Sequence, residues 1–395
     1  MKKKCLYLAL FAFLALSLDA YAQSSDPVVL SYQRNFIRAS MATKIELLND
    51  ASRITNVNMT PLYVDSIGFV LSNLTVLGQD AQLVEIASVS ASKLAQYRDP
   101  SAIPSLRKLL ATLTDPKVRL SVINAYSVLA KDRKDDIAFL DSWFAGAVDL
   151  ALSGTPADQR VLSACATALG KLGAASSFLP LFRASLSNLD SSVVLASQNA
   201  INQISEGYTD QILAIIRENP VKDVQAAFSL STRREGLTNA ERGQIAETVF
   251  SRFAAIEGEE AARQPTKDLV RESMKQLAAL SWSQASPAVV KYFYRIQGEY
   301  KNGQSNSDML VPVIACMGSM ATNEASQALS IFLGLLNSET EQKKTYNEQL
   351  LLAVIKSLGE LGDKTAFDYL LYVGYLEYPE TVKQASRDAL ARLNW

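Results

Sequence analysis

The sequence predicts an all-α protein in which about eight helix pairs stack as a solenoid. Three observations support this prediction. An apolar pattern with helical spacing recurs along the chain, a second helical pattern separates its copies, and the two alternate every 35 to 40 residues. A period of this length is typical of two-helix repeats, which bury their apolar faces by stacking on their neighbours.

The chain begins with the features of a secretory signal peptide. Three lysines precede an uninterrupted apolar run from Cys5 to Leu18, and Ala20 and Ala22 supply the small residues of a cleavage site. The run is shorter than the length of about 20 apolar residues that a membrane-spanning helix needs, and no later run approaches that length. We therefore predict that residues 1–22 are a signal peptide and that the mature chain has no membrane span. The predicted location is the periplasm or the exterior, with a retained anchor as the alternative.

The composition of the mature chain excludes several function classes. Cleavage after Ala22 leaves 373 residues with 36 basic and 39 acidic side chains, a formal charge of −3. This balance does not favour nucleic acid or an anionic membrane surface as a partner. The chain has no histidine, so it lacks Ser-His and Cys-His catalytic pairs and histidine metal ligands. We expect no enzymatic activity, no cofactor and no metal.

The amino-terminal elements are predicted from local signals. Residues 23–39 are predicted to be an unstructured or capping lead, and residues 40–395 to be a single solenoid. Helices are expected over 40–53 and 61–75, the second of which begins with a good N-cap and N1 pair, Thr60-Pro61.

The clearest repeat unit spans residues 99–129 and reads DPSAIPSLRKLLATLTDPKVRLSVINAYSVL. Other units share its helix-end signals, namely an aspartate before second helices, a proline near the start of first helices and a glycine after a last turn. These residues are Asp115 and Asp190, Pro104 and Pro180, and Gly173 and Gly362.

An apolar anchor recurs at the end of the second helix of each unit. The anchors are Leu94, Leu129, Leu169, Ile204, Met320, Leu358 and Leu393. The successive intervals are 35, 40, 35, 116, 38 and 35 residues. Because 116 is close to three periods, about two weaker units are expected in the gap, and residues 216–285 are predicted to be degenerate units of the same solenoid.

These units resemble HEAT repeats, a family of armadillo-type helical solenoids. In the unit quoted above, Asp115, Val118 and Arg119 stand at the spacing of the HEAT pattern. The resemblance implies an α-α superhelix with an extended concave surface lined by the second helices. It also implies a scaffold that binds proteins or peptides and has no chemistry of its own.

The two cysteines of the predicted mature chain occupy a repeated small-residue position. Cys165 and Cys316 each lie four residues before an anchor, where other units carry Ser90, Ala125, Ala200, Val354 and Ala389. We predict that both are packed as small apolar residues. Four helix-pair steps separate them by on the order of 30 Å, whereas a disulfide requires Cα atoms within about 7 Å, so no bridge between them is expected.

Three pairs of carboxylates are candidate catalytic groups, because some all-helical enzymes cleave sugars with two carboxylates. They are Asp135-Asp136, Glu259-Glu260 and Glu339 with Glu341. All lie in predicted connectors or at helix ends, where we expect them to serve solubility and the helix dipole.

Two aromatic clusters are the candidate partner-binding sites, because tyrosine with arginine is typical of interfaces. The first contains Tyr292, Tyr294, Arg295 and Tyr300, and the second contains Tyr369, Tyr372 and Tyr375. The alternative is that these rings seal helix contacts and keep their hydroxyls at the rim.

The predicted function is that of an exported scaffold, without catalysis, which binds a protein or peptide partner in the periplasm or cell envelope. Two alternatives stay open. One is a structural or assembly component of the envelope that self-associates through its terminal units. The other is an enzyme of the kind that HEAT-like bilin lyases represent, which export argues against.

Overall fold

The computed structural model describes residues 26–78, 80–304, 306–343 and 345–394, and in these ranges the chain forms 21 α-helices and no β-strand. The all-α prediction is therefore confirmed. The predicted signal peptide at 1–22 lies outside the described residues. The chain divides into two compact units, one that ends at Glu206 and one that begins at Gly207.

Unit 1 contains ten helices in five consecutive pairs. In chain order they are α1 Pro27–Arg38, α2 Met41–Ala51, α3 Thr60–Leu77, α4 Ala81–Tyr97, α5 Ile103–Thr112, α6 Pro116–Leu129, α7 Lys134–Leu152, α8 Gln159–Leu172, α9 Phe178–Ser185 and α10 Ser191–Gln203. The second helices, α2, α4, α6, α8 and α10, pack on one another in order. Among the first helices, α1, α3 and α5 pack in order, and α7 packs on α9. Short connections between packed helices are those of antiparallel neighbours.

Unit 2 also contains five pairs. Its helices are α11 Tyr208–Glu218, α12 Val221–Arg233, α13 Asn239–Ala254, α14 Glu259–Ala262, α15 Gln264–Ala279, α16 Ser286–Lys301, α17 Leu310–Gly318, α18 Asn323–Lys343, α19 Glu348–Leu361, α20 Phe367–Val373 and α21 Glu380–Leu390. The second helices, α12, α15, α17, α19 and α21, again pack in order, and the short α14 lies in the connection between α13 and α15.

The described residues thus form ten helix pairs, two more than the approximate count from the repeat period. The gap of three periods is filled by two pairs, α11 with α12 and α13 with α15, as the intervals predicted. At the amino-terminal end, the segment predicted to be an unstructured or capping lead contains α1. The Asp26 side chain accepts a hydrogen bond from the Val28 amide at 2.8 Å and starts this helix, and Val29 and Phe36 are buried.

The predicted aspartates and glycines lie at helix ends in the structure. The Asp115 carboxylate accepts hydrogen bonds from the amides of Lys117 and Val118 at 2.8 and 3.2 Å, and so caps α6. Asp190 caps α10 in the same way. Gly173 and Gly362 end their helices with φ of 66° and 65°, in the left-handed region that favours glycine.

The second helices pack with their backbones in close approach, which explains the repeated small residues. A Cβ built on Gly170 of α8 would lie 2.7 Å from the Cα of Ala200 on α10, and one built on Gly359 of α19 would lie 3.0 Å from the Cα of Ala389 on α21. Cys165 is fully buried at the same kind of position. Cys316 is buried too, and both are free thiols, as predicted.

A buried ionic group joins the helices α5, α6 and α7. The Asp136 carboxylate is 7% exposed and accepts hydrogen bonds from the guanidinium groups of Arg107 and Arg133. Arg107 also donates from Nε to the Tyr126 hydroxyl at 2.9 Å. The interpretation of Asp135-Asp136 as a solvated pair is therefore wrong for Asp136, because the burial comes from α5 and could not be read from its own segment.

Among the described helices, α3 is the one whose length and composition would allow it to cross a membrane. In unit 1 it packs against α1, α4 and α5. Its Tyr63 hydroxyl donates to the Leu48 carbonyl at 2.9 Å, and its Ser66 hydroxyl lies 2.5 Å from that of Ser90.

Candidate functional site

The first aromatic cluster lies on α16 and is divided between two faces of that helix. Tyr292 is 7% exposed, and its ring packs edge to face on Phe250 of α13, with centroids 5.6 Å apart. Tyr294 points the other way and is half exposed. This division follows from helix geometry, because residues two apart lie about 200° apart around the axis.

Arg295 lies on the same side of α16 as Tyr292. Its guanidinium carbon is 4.9 Å from the Tyr292 ring centroid, and its Nη1 donates to the Ile256 carbonyl at 3.1 Å. Burial raises the pKa of Tyr292 to about 12, although the nearby Arg295 charge opposes the shift. The Tyr292 hydroxyl therefore keeps its proton near neutral pH and can donate a hydrogen bond.

Tyr292 and Arg295 line a cavity of about 660 Å³ inside unit 2. Its walls come from the end of α13, from α14, from the first half of α15, from α16 and from the connection that follows α16. Arg271 of α15 faces the same cavity, so two guanidinium groups and one phenol converge on it. We call this space the α16 cavity.

Tyr300, the last member of the first cluster, lies elsewhere. It is half-buried, and the Asn347 side-chain amide donates to its hydroxyl at 3.5 Å. It lines a separate cavity of about 270 Å³ near the end of α18. The structure therefore does not bring all four residues of this cluster into one site.

The second cluster is similarly divided. Tyr369 is half-buried against α18, where its ring lies 2.9 Å from the position that a Cβ on Gly334 would take. Tyr372 is 40% exposed and donates from its hydroxyl to the Glu341 carboxylate at 3.2 Å, and this contact raises the pKa of Tyr372. Tyr375 is 76% exposed and is the most solvent-accessible of the seven predicted residues.

Exposed tyrosines and large aliphatic side chains recur on the first helices of unit 2. This first-helix face consists of Tyr294 on α16, Ile331 and Leu335 on α18, and Leu371, Tyr372 and Tyr375 on or just after α20. In the described part of unit 2, every large apolar side chain classed as exposed lies on a first helix or on the connection after it. The exposed apolar side chains of this unit are thus on the first helices, whereas the HEAT resemblance implied a concave surface lined by the second helices.

Unit 1 holds a buried carboxylate that the sequence did not single out. Asp141 on α7 is 6% exposed, and neither of its oxygens has a hydrogen-bond partner. Burial raises its pKa, and Ser176 and Ser177 lie near enough to offset part of this shift without reaching hydrogen-bonding geometry. Burial, reinforced by Asp141, also raises the pKa of Cys165. A protonated, enclosed thiol is a poor nucleophile, so this group does not support catalysis.

We expect the variant Asp141→Asn to be more stable than the wild type at pH 7. The folded-state pKa of Asp141 lies above its unfolded value, so the native state binds more protons between the two values and loses stability as pH rises through them. The gain from the substitution should shrink as pH falls toward about 4. Thermal unfolding of both proteins from pH 4 to 7.5 measures this. The control is Asp149→Asn, at an exposed position on the same helix. A lower midpoint for Asp141→Asn at pH 7 would contradict the prediction.

No protein-family model matches the chain, and no curated protein matches it. Over the residues that the structure describes, no three Cys, Asp or Glu side chains gather into a group that could hold a metal ion.

Proposed function

We propose that the mature chain is an exported HEAT-like scaffold that binds a protein partner in the periplasm or cell envelope and performs no catalysis. In this proposal the first-helix face is the docking surface. The observation that supports it most strongly is the exposure of Tyr, Ile and Leu side chains on three successive first helices, α16, α18 and α20.

The chemistry of the first-helix face suits a protein partner. Tyrosine and large aliphatic side chains supply apolar contact area, and tyrosine hydroxyls add hydrogen bonds at the rim of an interface. Tyr372 and Tyr375 have exposed rings. Tyrosine is one of the residue types that most often contribute a large share of the binding energy at an interface.

The surface also has a rigid base. Beneath it, the rings of Phe293 on α16 and Phe332 on α18 pack edge to face with centroids 5.4 Å apart, and both are buried. Tyr369 packs against Gly334 and joins α20 to α18. Side chains that are held in place before binding lose less conformational entropy when a partner docks.

The proposal predicts that charges placed on the first-helix face weaken partner binding. Affinity capture from envelope extracts should recover a stoichiometric partner with the wild-type mature chain. The double variant Ile331→Glu, Tyr375→Glu should weaken its retention at least about tenfold, because hot-spot truncations cost 2 kcal/mol or more. Circular dichroism and thermal unfolding should show that this variant is folded, since both side chains are exposed.

The matched control is Leu195→Glu on α10, which alters an equally exposed apolar side chain on a second helix of unit 1. It should retain the partner. Equal retention by all three proteins would show that the first-helix face is not the docking surface. If the wild type captures no stoichiometric partner, the scaffold proposal fails.

Self-association is the second candidate, and the 76% exposure of Tyr375 beside the last helix pair favours it. Sedimentation velocity of the purified chain over a range of concentrations separates the two. A dimer that dissociates on Tyr375→Glu would mean that the partner is a second copy, whereas a monomer at all concentrations excludes this candidate.

A further inference from the structure

We infer that the α16 cavity binds the carboxylate of a small acid with an apolar body, held by Arg271, Arg295 and Tyr292. This goes beyond the scaffold function and does not depend on it, because the cavity lies inside unit 2 and the first-helix face does not contribute to its lining. The ligand is defined by its chemistry. A free organic acid and the carboxyl terminus of a peptide can both present a carboxylate attached to an apolar group.

The cavity is lined by arginine N–H groups that lack good hydrogen-bond acceptors. Arg295 has one hydrogen bond to a carbonyl, but its Nε–H is buried without an acceptor in hydrogen-bonding geometry. The closest ion-pair contact of that nitrogen is with a Glu299 carboxylate oxygen, 3.7 Å away. Buried donors without acceptors are rare in folded proteins, and an arginine with unused donors facing a cavity is suited to an anionic ligand.

Arg271 adds a second guanidinium with weak partners. Its nitrogens donate to an Asp268 carboxylate oxygen at 3.5 Å, which is long for a hydrogen bond, and to the Met309 sulfur at 3.7 Å, which is a weak acceptor. In the same wall, the Thr266 hydroxyl belongs to a residue that is 2% exposed and has no hydrogen-bond partner. Two guanidinium groups that approach one space from different helices can engage both oxygens of a carboxylate.

The size and the remaining walls define the rest of the ligand. A volume of about 660 Å³ lies within the range of small-molecule sites, about 300 to 1,000 Å³. Phe253, Val270 and Ile296 are almost fully buried and contribute apolar surface to the lining. A carboxylate attached to an aromatic or aliphatic group therefore matches both parts of the cavity.

Acidic side chains also line the cavity. Glu257, Glu299 and Asp308 balance the charges of Lys267, Arg271 and Arg295 in number. Asp308 already accepts a hydrogen bond from Asn306 at 2.7 Å. Glu299 is the carboxylate closest to Arg295, so an incoming carboxylate competes with Glu299 for that guanidinium. Removing the charge of Glu299 should therefore strengthen carboxylate binding.

The experiment is a calorimetric titration of the mature full-length chain with phenylacetate and with its uncharged analogue phenylacetamide. Parallel titrations use N-acetyl-alanyl-phenylalanine with a free or an amidated carboxyl terminus, to separate a small acid from a peptide terminus. We expect at least one of the two acids to bind, with its amide at least about tenfold weaker, because charge-assisted hydrogen bonds are about twice as strong as neutral ones.

Variants decide whether the α16 cavity is the site. Arg271→Gln should weaken acid binding at least about tenfold and Tyr292→Phe by a smaller factor, whereas Glu299→Gln should strengthen it. The matched control is Lys275→Gln, on the same helix but exposed and outside the cavity, and it should bind like the wild type. Arg271 is itself half exposed, so its substitution should leave the fold intact, and thermal unfolding checks this.

Three results would overturn the inference. They are no binding of either acid, equal binding of acid and amide, and weakening by Glu299→Gln without an effect of Arg271→Gln, which would indicate a cationic ligand. Failure of the scaffold proposal would look different, because the wild type would then capture no stoichiometric partner while the acid titration stayed unchanged.

Discussion

Replacement of Gly170 by alanine should lower the free energy of unfolding by about 2–3 kcal/mol, even though alanine is the better helix former. The new Cβ would lie 2.7 Å from the Cα and 2.8 Å from the Cβ of Ala200. A backbone atom cannot rotate away as the end of a flexible side chain can, so α8 and α10 must separate along their contact. Urea denaturation of the mature protein, followed by circular dichroism, measures the effect.

The same substitution elsewhere in unit 1 should have the opposite sign. Gly146 on α7 is also within a helix, but no atom lies within 4 Å of the position its Cβ would take. Gly146→Ala should therefore raise the free energy of unfolding by about 0.5–1 kcal/mol. Adding Ala200→Gly to Gly170→Ala should recover part of the loss. Equal effects of the two alanine substitutions would show that the helices are not in backbone contact at Gly170.

Removal of the Asp136 carboxylate by substitution with alanine should cost about 3 kcal/mol of unfolding free energy. This is the lower end of the range for breaking a buried ion pair. The lower end applies because the side chains of Arg107 and Arg133 are 32% and 49% exposed, so water can compensate part of the loss. The two guanidinium groups would face each other without the carboxylate between them, and of its contacts with α7 Arg107 would keep only its hydrogen bond to the Asp135 carbonyl, at 2.9 Å.

The neighbouring carboxylate provides the control for this substitution. Asp135 has the same chemistry in the same first turn of α7, but it is exposed. Asp135→Ala should change stability by less than about 1 kcal/mol, through the helix dipole alone. Asp136→Asn, which keeps the shape and removes the charge, should fall between the two. Similar losses for Asp135→Ala and Asp136→Ala would contradict a structural role for the ionic group.

The features of the fold that could be predicted depend on the spacing of residues along a short stretch of the chain. The period, the caps at Asp115 and Asp190 and the small-residue position of Cys165 each follow from residues a few positions apart. Helix α1 was missed although its buried side chains, Val29 and Phe36, are seven residues apart and so share one face of a helix. The HEAT resemblance also could not show which layer of unit 2 carries exposed apolar side chains.

The candidate site was less predictable, because it is assembled from different helices. Tyr292 and Arg295 were identified by composition, but their neighbour Arg271 lies on α15 and carries no motif of its own. The clusters grouped residues by proximity in the chain, and a helix turns adjacent residues toward different surroundings. Likewise, the burial of Asp141 cannot be recognised from its neighbours in the sequence, because other helices cover it.

The restriction of helix packing to neighbouring pairs has a consequence for how the chain can fold. Every substantial helix contact in either unit joins helices of the same pair or of adjacent pairs, and proteins rich in such local contacts fold fast because little loop-closure entropy is lost first. A chain exported as proposed would emerge from the membrane amino end first. Within each unit, each pair could then fold onto the one before it while the rest of the chain is still in transit, so the order of emergence and the order of assembly would coincide.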